Sequence, residues 1–263
     1  MARASFETEG INSYESKERN AISLLCYAVA FIGLALSAVL TLVDHALTSL
    51  LYVGAFISGW AEVDGLCGVS HVCSITPLRA FRPRHLWLKA ACAYTIAGCM
   101  TAAGVGWLAS SGASLLDLRD PVLYAIAIGV AFLLTLREWG YLKWRLPQVR
   151  RQTHKMWAAE YGFPQGAAMW GAHIGLGVVT VIRHGGIYVV LIAATTLEAA
   201  QAAALFTVFW LGRSAPLWLV PAVTESNDGL HLTKAILGSA RANRFVSSSA
   251  LILLALALAE RMK

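Results

Sequence analysis

The sequence predicts an all-α polytopic membrane protein with about seven transmembrane helices, arranged as an N-terminal helix followed by two inverted three-helix repeats. Hydrophobic residues make up 57% of the 263 residues and charged residues only 14%, whereas a typical soluble domain has about 25% charged residues. The apolar residues are gathered in runs that short polar or basic segments separate. Both observations indicate a chain that crosses a lipid bilayer several times.

The first apolar run, residues 21–43, is long enough to cross a hydrocarbon core of roughly 30 Å, which takes about 20 residues. Residues 1–20 are polar and mixed in charge, unlike the basic start of a cleaved secretory signal. We therefore expect residues 1–20 to form a cytoplasmic tail and residues 21–43 to form a permanent extra helix.

Further apolar segments define the two repeats. We assign residues 46–136 to the first repeat, residues 137–163 to a basic cytoplasmic loop, and residues 164–260 to the second repeat. The predicted spans cover residues 46 to about 60, 86–109, 121–136, 164–182, 187–211 and about 245–259. Between the last two, "APLWLVPAV" is too short to cross, and we expect residues 214–243 to contain an interfacial helix.

Lysine and arginine residues predict the orientation. They cluster before the third span and after the fourth, and cytoplasmic loops carry such an excess. The N-terminus is then cytoplasmic and the C-terminus outside, with Asp44, His45, "LLDLRD" and "RHGG" also outside, in what we expect to be a bacterial inner (plasma) membrane. The clusters contain Arg79, Arg82, Arg84 and Lys89, then Arg137, Lys143, Arg145, Arg150, Arg151 and Lys155.

The net charge of +6 does not indicate nucleic-acid binding, because the basic residues lie between apolar runs. The cysteines, five in number, show neither the spacing of a secreted disulfide scaffold nor that of a paired zinc site. We therefore expect membrane lipid around the chain, no nucleic-acid partner and no structural metal.

The leading segment of each repeat contains helix-breaking signals. These are "GWAEVDGLCG" in the first repeat, and "GAHIGLGVV" followed by "IRHGG" in the second. Many carriers are built from two inverted repeats whose leading helices are broken near the midplane. The pattern predicts that polar residues in these stretches face a central cavity.

These stretches resemble the cytochrome c biogenesis transmembrane proteins of the CcdA and DsbD type, within the broader LysE-like group. "GWAEVDGLCG" is similar to their "GLxxGxxPC" stretch, with Leu66 in place of the proline and Cys67 at the redox cysteine. "GAAMWGAHIGLGVVTVIRHGG" looks like their "GLGWTPCxGP" helix, with about Val181 in place of the second cysteine, and "FTVFWLGRSAPLWL" looks like their "LGLGLPFLL" ending.

The resemblance implies a membrane relay that passes reducing equivalents from a cytoplasmic thioredoxin-like protein to thiol proteins outside, by thiolate attack and without a bound cofactor. Cys67 would attack, Cys73 would resolve the mixed disulfide, and His71 would favour the thiolate. On an unbroken helix the two cysteines point about 240° apart, so their pairing requires a break at "CGVSH". The alternative is that both are buried small hydrophobic residues.

Glu62 and Asp64 lie within or near the membrane, where a buried charge costs about 2.5 to 3.5 kcal/mol on insertion scales. We expect them to bind a cation together with His71, Cys67 or Glu198, to carry protons, to face a water-filled cavity, or to pair with an arginine.

Other polar residues lie in the second repeat. Glu198 and Gln201 are predicted to lie in mid-span on one helix face, where they either hold helices together by hydrogen bonds or line the central cavity. His173 is a further candidate, although a lone histidine in a helix is more often a structural donor.

Two other functions compete with the relay. One is transport of an ion or small solute, as in the LysE-like group, with Glu62, Asp64, His71, His173 and Glu198 at a midplane site. The other is a noncatalytic membrane subunit or assembly factor that contacts other membrane subunits.

Overall fold

The computed structural model describes residues 2–41, 46–80, 85–117, 122–149, 154, 156–177, 181–224 and 228–262. The regular structure of these residues is helical, and no strand occurs among them. The helices are α1 Ala2–Thr41, α2 Ala46–Ala61, α3 Leu66–Ile75, α4 His85–Leu115, α5 Val122–Glu138, α6 Trp157–Tyr161, α7 Phe163–Gly175, α8 Gly186–Thr195, α9 Ala199–Val223, α10 Gly229–Gly238 and α11 Ala240–Glu260. Short 3-10 turns at Glu62–Asp64 and Thr76–Arg79 flank α3.

The chain is an integral membrane protein. Within the described residues, four helical segments are long and apolar enough to cross a bilayer: Ser16–Val39, His85–Leu115, Ala199–Val223 and Ala240–Glu260. A fifth forms if Ser49–Asp64 and Cys67–Arg79, which meet at an angle of 77°, count as one broken span. Large side chains such as Phe31, Met100 and Phe132 are exposed on the outer surface, as expected for residues that face lipid.

Glycines allow the central helices to approach closely. A Cβ atom at Gly59 of α2 would overlap the carbonyl oxygen of Phe209 on α9, and a Cβ atom at Gly171 of α7 would overlap the carbonyl oxygen of Tyr94 on α4. Helices in membranes pack through such small residues because lipid supplies no hydrophobic force between them. The α2–α9 and α4–α7 pairs therefore form the centre of the bundle.

The contacts along these pairs give the helix directions. On α7, Gly171 lies beside Tyr94 and Gly175 beside Gly98, so α7 runs parallel to α4. Tyr52 near the start of α2 bonds to Gln201 near the start of α9, and Gly59 lies farther along both helices, beside Phe209. Helices α2 and α9 are therefore parallel as well.

Helices α4 and α9 run in opposite directions. Ser110 Oγ, near the end of α4, donates to the carbonyl oxygen of Leu197, two residues before α9, at 2.6 Å. Trp218 Nε1, near the end of α9, donates to Thr95 Oγ1 on α4 at 3.1 Å. These two hydrogen bonds fix how α4 and α9 are aligned along their length.

The region before the last helix differs from the prediction. Residues 2–20, the predicted cytoplasmic tail, are helical and continue into the first span as part of α1, since no proline interrupts the segment and Ala, Glu, Lys and Arg favour a helix. "APLWLVPAV" continues α9, whose interior contains Pro216 and Pro221, which a buried membrane helix tolerates. Helix α10 lies between α9 and α11, and α11 begins at Ala240, before the predicted start at 245.

The predicted fifth and sixth spans also have different bounds. Helix α7 has 13 residues and reaches only about 20 Å, because Gly177, at φ +74°, ends it in a left-handed turn. The predicted span 187–211 is broken after α8, where the hydroxyl groups of Thr195 and Thr196 bond back to the carbonyl oxygens of Ile192 and Ala193. Helix α9 starts anew at Ala199.

Candidate functional site

The first candidate feature is the break between α2 and α3. Helix α2 ends at Ala61, a 3-10 turn covers Glu62–Asp64, and Gly65 is extended at φ −67°, ψ 148°. The side chains of Glu62 and Asp64 are each only 1% exposed. Gly59, one turn earlier, lies against Phe209 and Arg213 near the middle of α9. The break therefore places two carboxylates inside the bundle, close to the middle of a span.

A second break, between α7 and α8, lies directly against the first. The backbone N–H groups of Arg183 and His184 donate to the two carboxylate oxygens of Glu62, at 3.1 and 2.9 Å. Helix α8 begins two residues later, at Gly186. Glu62 thus satisfies two backbone donors that no helix satisfies, and its negative charge lies at the favourable N-terminal end of α8.

The side chain of His184 joins two carboxylates from different helices. Its Nε2 lies 2.9 Å from Asp64 Oδ1, and its Nδ1 lies 2.9 Å from Glu138 Oε2, at the end of α5. Ionised carboxylates only accept hydrogen bonds, so both ring nitrogens must donate, and His184 is an imidazolium cation.

Three arginines lie beside these carboxylates. Arg183 Nε lies 3.4 Å from Asp64 Oδ2, and Arg137 Nη1 lies 3.0 Å from Glu138 Oε1. Arg213, which is only 4% exposed, lies close enough to Glu62 to interact with its charge. We name Glu62, Asp64, Glu138, Arg183, His184 and Arg213 the buried charge cluster. Pairing of the positive and negative side chains in this cluster offsets the desolvation penalty that each charged group would carry if it were buried alone.

A polar pocket connects this cluster with the surface. The pocket has a volume of about 410 Å³ and reaches Glu138 and His184 at its inner side, within the usual size range of small-molecule sites, about 300 to 1,000 Å³. Its other lining residues are Arg137, Gly140, Leu142, Lys143, Trp144, Arg183 and Arg244. The basic loop after α5 thus forms one wall of an entrance to the cluster.

The predicted carboxylates lie at this site, in one of the expected arrangements. Asp64 pairs with an arginine, Arg183, which is one of the alternatives that the sequence left open. The arrangement also corrects the predicted position of "RHGG". Arg183 and His184 lie beside Glu138 and the basic loop, so this segment is not on the opposite side of the membrane from that loop.

The cysteine pairing fails on helix geometry. Cys67 and Cys73 both lie on α3, which is unbroken from Leu66 to Ile75, and both are free thiols. The break precedes Cys67 instead of separating the two cysteines, so the bend that a disulfide between them requires does not exist. Cys67 is buried at 3% exposure, and Cys73 Sγ accepts a hydrogen bond from Thr233 Oγ1 at 3.2 Å.

The two predicted histidines occupy aromatic surroundings. His71 Nδ1 bonds to the backbone carbonyl oxygen of Cys67, and its ring packs against Tyr94 and Trp170 with centroid distances of 5.6 and 5.1 Å. His173 lies on α7, with its ring 6.0 Å from that of Trp157. His71 also lies close enough to Arg213 of the buried charge cluster for their charges to interact.

The prediction for Glu198 and Gln201 is wrong. Glu198 is the N-cap residue of α9 and Gln201 is in its first turn, and both are exposed. The sequence "ATTLEAAQAA" looks continuous, but α8 ends at Thr195 and α9 begins at Ala199. The carboxylate of Glu198 is then at the N-terminal end of a helix dipole, where a negative charge is favourable, and not in a central cavity.

The structure adds Glu138, Arg183, His184 and Arg213 to the candidate site. The sequence predicted Glu138 in the basic loop and Arg183 and His184 in an outer loop, and it ended the predicted span 187–211 before Arg213. The available signal was the "IRHGG" break itself, because polar residues beside glycines in the leading segment of a repeat are those that meet at the bundle centre. Asp44 and His45 lie outside the described residues.

Among the described residues, no group of three or more His, Cys, Asp or Glu side chains is arranged to hold a metal ion. Comparisons with protein-family models, curated proteins and solved structures find no match for the chain.

Proposed function

We propose that the protein is a membrane carrier for an ion or small solute, and that the buried charge cluster lies on its transport pathway. The observation that carries this proposal is that the two helix breaks meet: Glu62 at the first break accepts hydrogen bonds from Arg183 and His184 at the second. Non-helical backbone inside a membrane is tolerated where protein buries it or where it lines a cavity, and carriers place their sites there.

The path of the chain supports two inverted repeats. Helix α7 runs parallel to α4 as far as Gly98, and α8 then leads from Ser58 in the middle of the bundle to Leu197 at the far end of α4. Together, α7 and α8 make one broken crossing. It is opposite in direction to the broken crossing of α2 and α3, because α2 is parallel to α9 and α9 is antiparallel to α4.

This path supports seven crossings. They are α1, α2 with α3, α4, α5, α7 with α8, α9, and α11. The basic residues Arg79, Arg137 and Lys143 belong to the ends that the positive-inside rule assigns to the cytoplasm. The proposed orientation is therefore N-terminus inside and C-terminus outside, in a bacterial inner membrane.

The cluster gives the carrier a physical mechanism. Asp64 and Glu138 hold His184 between them, and Glu62 holds the backbone of the same residue. A solute that takes over one of these ionic partners weakens the junction of the two breaks, and the two repeats are then free to rock around it. The energy for this change is the difference in the solute's affinity between the two states.

The thiol relay implied by the CcdA and DsbD resemblance remains a competing proposal, with Cys67 as its attacking thiol and a thioredoxin-like partner. It would use Cys67 without Cys73 as resolving thiol, because α3 holds the two apart. The LysE-like part of the resemblance agrees with transport. A noncatalytic subunit that contacts other membrane subunits would need neither the cysteines nor the cluster.

Solute-driven charge movement in proteoliposomes tests the proposal. Purified full-length protein is fused to a solid-supported membrane and exposed to jumps of phosphate, sulfate, acetate, lysine and potassium. At least one solute should produce a current that Asp64→Asn abolishes and the double variant Cys67→Ala/Cys73→Ala leaves unchanged.

A current that disappears in the cysteine variant, or a mixed disulfide trapped at Cys67 with a thioredoxin-like protein, would instead support the relay. Absence of any current from a folded wild-type protein across these solutes would argue for the noncatalytic subunit.

A further inference from the structure

The polar pocket above the buried charge cluster is strongly basic. Its lining contains the side chains of Arg137, Lys143, Arg183 and Arg244, together with the imidazolium of His184, against one carboxylate, that of Glu138. Glu138 is itself shared between Arg137 Nη1 at 3.0 Å and His184 Nδ1 at 2.9 Å. The pocket therefore presents more positive than negative charge to whatever enters it.

The position of the arginines decides which sign of charge can reach the cluster. Arg183 lines the pocket, its side chain is 42% exposed, and its Nε lies 3.4 Å from Asp64 Oδ2. Asp64 itself has no exposed side-chain surface and does not line the pocket. A cation in the pocket would meet several positive side chains and only one carboxylate, that of Glu138, whereas an anion would be attracted.

The Arg183–Asp64 contact also leaves capacity for a second anion. A guanidinium has five N–H donors and binds oxyanions best through two parallel hydrogen bonds. The Nε of Arg183 reaches Asp64 Oδ2, and its Nη1 donates to the backbone carbonyl oxygen of Asp64 at 3.0 Å. Its remaining donors can bind an oxyanion in the pocket, which Lys143 and Arg244 also line.

We propose that this pocket binds an oxyanion, namely a phosphate, sulfate or carboxylate group, as the solute of the carrier. This inference rests on the proposed transport function and names its substrate class. The bound oxyanion takes Arg183 from Asp64. Because the backbone N–H of Arg183 is also bonded to Glu62, moving this residue loosens the contact between the two helix breaks.

Binding is measured without transport. Full-length protein purified in a neutral detergent is titrated with sodium phosphate, sodium sulfate and sodium acetate by isothermal calorimetry, with sodium chloride at matched ionic strength as reference. At least one of the three oxyanions should bind, and Arg244→Gln should weaken that binding about tenfold, as expected for loss of one charged hydrogen-bond partner.

Arg241→Gln provides the matched control. Arg241 is exposed one turn before Arg244 on the same helix, α11, and does not line the pocket. The Arg241→Gln variant should bind the oxyanion as the wild type does. Equal loss in both variants, or no oxyanion binding above the chloride reference in wild type, overturns the proposal.

Lipid composition distinguishes a free oxyanion from a lipid headgroup as the bound group. The titration is repeated in nanodiscs of phosphatidylcholine alone and of phosphatidylcholine with phosphatidylglycerol. A free solute should bind in both, more weakly in the anionic discs if headgroups compete. Binding that needs phosphatidylglycerol, with no response to free oxyanions, identifies a lipid headgroup and overturns the substrate assignment.

The two proposals fail in different ways. Oxyanion binding that Arg244→Gln weakens, without any oxyanion current in proteoliposomes, preserves the binding site and refutes the carrier. A current driven only by potassium preserves the carrier and refutes the oxyanion.

Discussion

His184 has the most demanding position of any residue in the cluster, because both of its ring nitrogens donate to buried carboxylates at 2.9 Å. We expect His184→Gln to destabilise the protein by about 3 to 5 kcal/mol, since removing one partner of a buried ion pair leaves the other charge uncompensated. Asp64→Asn should also destabilise, and the double variant should cost less than the sum of the single ones. Reversible unfolding in mixed micelles measures all three, and strict additivity would contradict the direct pairing.

For Glu62 we predict an effect on backbone hydrogen bonds. Its two oxygens accept the N–H groups of Arg183 and His184 at 3.1 and 2.9 Å, and a glutamine has only one oxygen. We expect Glu62→Gln to speed amide hydrogen exchange at these two residues by roughly tenfold, which corresponds to loss of a hydrogen bond to a charged group. Mass spectrometry of peptides covering residues 181–186 measures the change.

Glu198→Gln is the control for that experiment. It removes the charge of an exposed carboxylate at the start of α9, distant in sequence and structure from the junction of the breaks. Exchange at residues 181–186 should match the wild type. If Glu62→Gln left exchange at this junction unchanged as well, Glu62 would not be what holds the two breaks together.

At the scale of the elements, glycines determine the close contact between α2 and α9. A Cβ atom at Gly59 would overlap the carbonyl oxygen of Phe209, and one at Gly212 would overlap that of Phe56. Alanine at either position must separate the helices, and we expect a loss of about 1 to 3 kcal/mol, as overpacking typically costs. Thermal unfolding in detergent measures the loss.

Gly104 and Gly129 are matched controls for this contact. They lie inside α4 and α5, and a Cβ atom at either one meets nothing within 4 Å. Alanine there should leave stability unchanged or raise it by up to about 1 kcal/mol, because alanine favours a helix more than glycine does. A similar loss at all four positions would mean that the glycines act through the backbone and not through close packing.

The elements also show how far the sequence predicts this fold. The break at Glu62 and Asp64 was predicted, because two carboxylates beside glycines interrupt an apolar run. The break after α8 was missed, because no glycine or proline marks the residues between Thr195 and Ala199. The predicted span also ended at residue 211, whereas α9 continues through Arg213 to Val223.

For the whole molecule, partners that are far apart in sequence explain why four of the six residues of the candidate site were missed. His184 is 120 residues from Asp64 and 46 from Glu138, and no local pattern specifies which carboxylate a histidine meets. The general rule that inverted repeats bring their two breaks together at the centre predicts that the two broken stretches meet. It does not predict that α5 ends at the same level and contributes Glu138.

The seven proposed crossings make the whole molecule asymmetric about the membrane, and single cysteines in a cysteine-free background test that asymmetry. Lys143→Cys, on the basic loop, should react with a membrane-impermeant maleimide only after permeabilisation of intact cells, because that loop is proposed to be cytoplasmic. Leu116→Cys, after α4, and Met262→Cys, after α11, are exposed positions that should react without permeabilisation.

The same labelling at Lys143 and Leu116 would remove the crossing of α5, and protection of Met262 would make the number of crossings even. Either result would break the inverted relation of the two halves, and with it the argument that the junction of Glu62 with Arg183 and His184 lies on a transport pathway.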